Sequence, residues 1–222
     1  MTGNERTLGR VIGGLILLQL VCGIAGNLWL TAPLFGEGGY LALAPTERVT
    51  IRASILIALV TASLGLLIAL LAQAPLRRRG PLPGRALLVF STVALAVGVV
   101  EQAGVLSMIT LADTLSPAVR GDAALAGTVK VLGALLRNST HYLGLLASGV
   151  SLLILYAGLL ALRLVPRPLA VFGVCAVALQ LFAIGSVVLG ASVNFALLAP
   201  LAVSQLLLSS WLLARGLPPA NR

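Results

Sequence analysis

Charge is scarce in this chain. Asp, Glu, Lys and Arg together make up 9% of its 222 residues, while hydrophobic residues make up 59%. Soluble domains carry about 25% charge, and a mean hydropathy of +1.08 puts this chain outside that class. Acids are scarcer still, 6 against 15 basic residues, for a net charge of +9. Such an excess of base could suit nucleic acid, but aromatics amount to 5% and the basic residues flank apolar runs without aromatic interleaving, so nucleic acid is not an expected partner. Histidine occurs once, as His141, and cysteine twice, as Cys22 and Cys175. Both cysteines lie inside apolar runs, where a thiol packs as a small hydrophobe. With no second histidine the usual three or four ligands of a metal site are missing, so neither a metal nor a cofactor is expected. Walker-type phosphate loops, G-x-S-x-G elbows and H-E-x-x-H helices are absent as well, and no catalytic residue is assigned.

What the chain has in quantity is apolar length. A hydrocarbon slab about 30 Å thick is crossed by about 20 apolar residues in a helix. Six stretches qualify: Val11 to Leu30, Ile51 to Ala72, Ala86 to Ala112, Tyr142 to Leu162, Leu169 to Gly190 and Phe195 to Ala214. The expected fold is an all-α integral membrane protein, a single bundle of six transmembrane helices filling residues 1–222. Membrane lipids are its expected surroundings.

Orientation follows from the basic residues, which cytoplasmic segments retain. With the N-terminus inside, the cytoplasmic segments hold ten: Arg6, Arg10, Arg77, Arg78, Arg79, Arg85, Arg163, Arg167, Arg215 and Arg222. The outer segments hold five, Arg48, Arg52, Arg120, Lys130 and Arg137, together with the acids Glu37, Glu47, Asp113 and Asp122. Both termini are therefore expected in the cytoplasm. Lys130 is the only lysine, in a background rich in Ala, Leu, Gly and Arg; that composition suits a GC-rich bacterial genome and hence a bacterial cytoplasmic (inner) membrane. The triple Arg77-Arg78-Arg79 is read as a topology signal rather than a lipid site.

The connection from Asp113 to His141 is too long for an idle loop. Ser116-Pro117 has the form of a helix start, and Leu125, Val129, Leu132 and Leu136 recur at helical spacing, with Lys130 and Arg137 elsewhere on the wheel. An amphipathic helix on the outer surface between spans 3 and 4 is expected. The first outer loop, with Phe35, Gly36, Gly38, Gly39 and Tyr40, should pack beside it.

The best functional clue is Glu101, near the middle of the otherwise uncharged run Ala86 to Ala112. A carboxylate exposed to lipid costs at least a few kcal/mol, so such a residue should face protein or a polar cavity. Ala94, Val97, Gly98, Gly104, Val105 and Met108 share its helical face, and the small ones admit a neighbouring backbone closely. Gln102 adjoins it, and Gln19, Gln180 and Gln205 supply amides at similar depth on other helices. A protonated Glu101 would donate to one of these or to a backbone carbonyl, so that Glu101→Gln should cost at most about 1 kcal/mol. Asn27, Arg52 and His141 fall in the outer halves of their helices and could line a vestibule above Glu101, His141 at the outer end of the fourth helix.

Three stretches resemble a bacterial membrane family, domain of unknown function family 4386. They are Val100-Glu101-Gln102-Ala103 in the third run, Gly158-Leu159-Leu160-Ala161 leading into Arg163-Leu164-Val165-Pro166-Arg167-Pro168-Leu169-Ala170, and the close from Ala199-Pro200 through Gln205 to Trp211-Leu212-Leu213-Ala214-Arg215-Gly216. The likeness runs from about Arg10 to Gly216; it implies a six-helix membrane fold and no established activity. Gln205 stands where that family often has a glutamate, and the arginine that often precedes the acid of the third helix is missing. The favoured reading is a non-enzymatic protein with a polar intramembrane pocket around Glu101 that binds or senses a small amphiphilic molecule. Its alternatives are a small transporter or exporter subunit coupling protons through Glu101, and an intramembrane enzyme using Glu101 as general acid on a lipid or isoprenoid.

Overall fold

The structure is a computed structural model that describes residues 2–36, 39–43, 45–115 and 122–218. The proposed Ser116-Pro117 cap, Glu37, Gly38, Arg120 and Arg222 lie outside the described residues. Among the described residues six long helices follow one another: α1 (Thr2–Ile24), α2 (Pro45–Leu76), α3 (Pro81–Thr114), α4 (Ala123–Ala161), α5 (Arg167–Val188) and α6 (Ala199–Arg215). Each lies in a stretch long and apolar enough to cross a membrane, and no strand occurs among the described residues, so the chain is a multi-pass helical membrane protein.

The breaks between helices have local causes. Gly80 at φ 109° and Pro81 at the first helical position separate α2 from α3. Gly190 at φ 97° ends α5, and the Asn194 side chain accepts from the Ala196 N–H to start the turn leading into α6. α1 runs on into a π-helical turn, Ala25–Leu30, where the Thr31 N–H reaches back five residues to the Gly26 carbonyl at 3.1 Å.

Packing closes the six helices into a ring. Each touches the next in sequence, and α6 returns to α1. That closing contact rests on Gly9 and Gly13, four residues apart on one face of α1: a Cβ on Gly13 would stand 2.8 Å from Leu212 Cβ, and one on Gly9 would collide with the Leu217 backbone. Small residues at this spacing let two helix backbones meet closely. The core falls into two clusters. One joins Ile12, Ile16, Ile68, Leu76, Tyr156, Leu159, Leu208 and Leu212. The other joins Leu34, Tyr40, Ile51, Ile55, Val105, Met108 and Ile109.

One expected element takes a different form. The stretch holding Leu125 to Leu136 is not a separate surface helix but the first third of α4, which runs unbroken for 39 residues into the fourth span. The Asp122 carboxylate caps it, accepting from the Ala124 and Leu125 N–H groups at 3.0 Å each, and nothing between Leu136 and Tyr142 interrupts the helix, because Arg137-Asn138-Ser139-Thr140 contains no glycine or proline. The first outer loop does pack beside this segment: the Tyr40 hydroxyl donates to the Val129 carbonyl at 2.8 Å.

Candidate functional site

Continuity of α4 changes what faces Glu101. Residues spaced by four lie on one helical face, so Arg137, His141 and Leu145 stand at successive turns along α4. α3 and α4 pack against each other, and Val97 lies beside Gly144 at the spacing an ordinary side-chain contact would have. Through this close approach Glu101 Oε1 lies 3.0 Å from His141 Nδ1 and 3.4 Å from Arg137 Nη2. Both ends of the ion pair are buried, Glu101 at 9% exposure and Arg137 at 8%.

A buried charge without a partner is far costlier than a paired one. Across the helix interface the Glu101 carboxyl has such a partner in the Arg137 guanidinium. Arg137 and His141 thus stand where glutamines were expected to meet this carboxyl. The cost expected of Glu101→Gln rises accordingly, because that change leaves Arg137 buried against a neutral amide.

Arg137 is held from two further directions. Its Nη1 donates to Asn138 Oδ1 at 3.3 Å, and its guanidinium carbon lies 5.1 Å from the centre of the Phe35 ring, a cation–π contact contributed by the first outer loop. Its Nε is buried with no hydrogen-bond partner among the described residues.

The other residues singled out in the sequence are dispersed. The Gln180 amide, on α5, donates to the Leu145 carbonyl at 3.1 Å, one turn along α4 from His141, and its Oε1 is buried without a partner among the described residues. Gln19 donates instead to the Thr61 carbonyl of α2 at 3.2 Å. Gln102 and Gln205 are half-buried. Asn27 is exposed and donates to the Gly23 carbonyl of its own helix. Arg52 is exposed too and lies 3.1 Å from Asp113, which also pairs with Arg48. His141 thus joins Glu101, whereas Asn27 and Arg52 bond elsewhere. His141 is also not at a helix end; it is near the middle of α4.

Arg137 is the residue the sequence reading misplaced. Its signal is its spacing from His141: four positions apart with no helix breaker in between, the two side chains share a helical face.

A family model described as Domain of unknown function (DUF4386) matches residues 11–216. The chain belongs to that family. The match takes in the apolar core of all six helices, and with it Glu101, Arg137, His141 and Gln180. No curated protein and no solved structure matches the chain.

Proposed function

We propose that this DUF4386 protein binds a small amphiphilic molecule inside its bundle, with the polar head of that molecule at the Arg137–His141–Gln180 side of α4. The observation that carries this reading is a pair of buried polar atoms at the Glu101 cluster without partners among the described residues, a donor at Arg137 Nε and an acceptor at Gln180 Oε1. Buried polar groups are nearly always satisfied, and each exception asks for an explanation. Arg137 and Leu145, whose carbonyl holds Gln180, are eight residues apart, about 12 Å along the helix, a span suited to a small head group with both acceptor and donor atoms. The apolar body of the ligand would lie along the surrounding helices. The larger aliphatic core is close-packed: its cavity between Ile12, Leu76, Leu155 and Leu212 measures only about 10 Å³.

A second reading, a transporter subunit coupled to protons, draws support from the hydrogen bond between His141 and Glu101. A proton exchanged between imidazole and carboxylate would alter the pairing with Arg137.

On this reading the protein belongs to the cytoplasmic membrane of a bacterium, with both termini inside. Contacts between Arg78 and Glu5, and between Gly9 and Leu217, gather the N-terminus, the α2–α3 turn and the C-terminal segment at one end of the bundle. This is the end rich in arginine, which supports a cytoplasmic assignment.

Native mass spectrometry of the protein extracted gently from its own host tests the binding reading. A stoichiometric adduct of small-amphiphile mass is expected; protein that is bare under every mild extraction overturns it.

A further inference from the structure

At the arginine-rich end of the bundle, the turn between α4 and α5 borders a wide-open cleft of about 610 Å³, lined by Leu160, Ala161, Arg163, Val165, Arg167 and Val171. Its size is that of a small-molecule site. Its wall is aliphatic apart from two arginines, and neither guanidinium has an acidic partner among the described residues. The neighbouring arginine cluster differs: Arg78 pairs with Glu5, and Arg77 reaches the Gln73 side chain.

Arg163 is held where it is at a conformational cost. The Leu164 N–H bonds to the Leu159 carbonyl at 3.0 Å, six residues closing the end of α4, and this motif places its penultimate residue in the left-handed region. Glycine usually occupies that place; here it is Arg163, at φ 53°, the only non-glycine residue with positive φ among those described. The backbone is thus bent at the rim of the cleft by a residue whose side chain, not its flexibility, distinguishes it. Pro166 and Pro168 flank Arg167 and fix the turn from the other side.

We propose that this cleft binds the phosphate head group of an anionic membrane lipid, Arg163 and Arg167 taking the phosphate and Leu160, Val165 and Val171 taking the adjoining hydrocarbon. Guanidinium forks match phosphate oxygens in geometry and charge. Basic pockets between helices at the cytoplasmic surface suit such head groups. A soluble phosphate shares the charge but has no use for the aliphatic wall.

Full-length protein in a non-ionic detergent, presented with equimolar phosphatidylglycerol and phosphatidylcholine and examined by native mass spectrometry, supplies the test. Wild-type protein should retain the anionic lipid about tenfold over the zwitterionic one. The double variant Arg163→Gln with Arg167→Gln should lose that preference, while Arg77→Gln with Arg215→Gln, which removes equal charge from the same end, should keep it. Arg163→Gly separates binding from folding: it relieves the positive φ, so its melting temperature should equal or exceed that of the wild type while lipid preference falls. Absence of preference in the wild type overturns the proposal, as does equal loss in the Arg77/Arg215 variant. Full displacement of the lipid by millimolar inorganic phosphate would overturn it in favour of a soluble anion.

Discussion

Glu101 of α3 and Arg137 of α4 face each other across a helix interface with carboxylate and guanidinium 3.4 Å apart, each less than a tenth exposed. They are thirty-six positions apart in sequence, yet they meet because α3 and α4 run antiparallel in close contact. His141, one turn further along α4, bonds the same carboxylate oxygen.

The first prediction is that these two charges are energetically coupled. Removing one partner of a buried pair costs about 3–5 kcal/mol because the other charge is left uncompensated. Glu101→Gln and Arg137→Gln should each be strongly destabilising, and the double variant should be less so than the sum of the two. Thermal or denaturant unfolding in detergent measures the cycle; additive losses would show that the pair is not an interacting unit.

The orientation of the bundle makes a second prediction. A single cysteine near Arg78 should stay protected from a membrane-impermeant thiol reagent on intact cells, while one near Asp122 should be labelled, against a background lacking Cys22 and Cys175. The reverse pattern would invert the topology.

These two predictions differ in how far the sequence alone supported them. Hydropathy and arginine placement suffice for six spans, because solvation by lipid imposes a long apolar run on each helix whatever its neighbours are. Glu101 was legible for the same reason, as a charge where charge is expensive. Its partner was not. The apolar run of the fourth span begins at Tyr142, so Arg137 looked like part of a surface element, and only the uninterrupted backbone from Asp122 onward turns it toward α3. The glutamines misled in the opposite sense: an amide in a membrane helix can be satisfied by any nearby carbonyl, as Gln19 is by Thr61. Its depth therefore said nothing about its neighbours. The spacing of Gly9 and Gly13 was a readable sign of the α1–α6 contact that hydropathy alone passes over.

That contact gives a third prediction. Gly13→Leu would drive a side chain into Leu212 and the Ser209 carbonyl of α6, where a Cβ already meets atoms at 2.8 and 2.9 Å. Overpacking of this kind costs about 1–3 kcal/mol. Melting temperature should fall clearly for Gly13→Leu and little for Gly23→Leu, where a Cβ meets open space. Equal effects would place the closing contact elsewhere.

Tyr40 supplies a prediction about pH. Its phenol lies outside the spans, is buried, and donates to the Val129 carbonyl; burial raises its pKa above the ordinary value of 10.0. The folded state therefore holds the phenolic proton more tightly than the unfolded chain, and the resulting stability is complete below pH 10 and declines as pH rises through the folded value. Stability measured from pH 8 to 11 should fall more steeply for the wild type than for Tyr40→Phe. Parallel curves would mean that the phenol does not contribute in this way.

Ligand binding at the Glu101 cluster is tested most directly by native mass spectrometry of the wild type beside the double variant Glu101→Gln with Arg137→Gln, both extracted from the same host in the same detergent. The variant removes both buried charges together, so neither is left stranded. The wild type should carry a stoichiometric small-amphiphile adduct that the variant lacks, and the adduct should survive in Arg163→Gln with Arg167→Gln, which separates it from lipid held at the α4–α5 turn. An adduct of the same mass and occupancy on the Glu101/Arg137 variant would contradict the account.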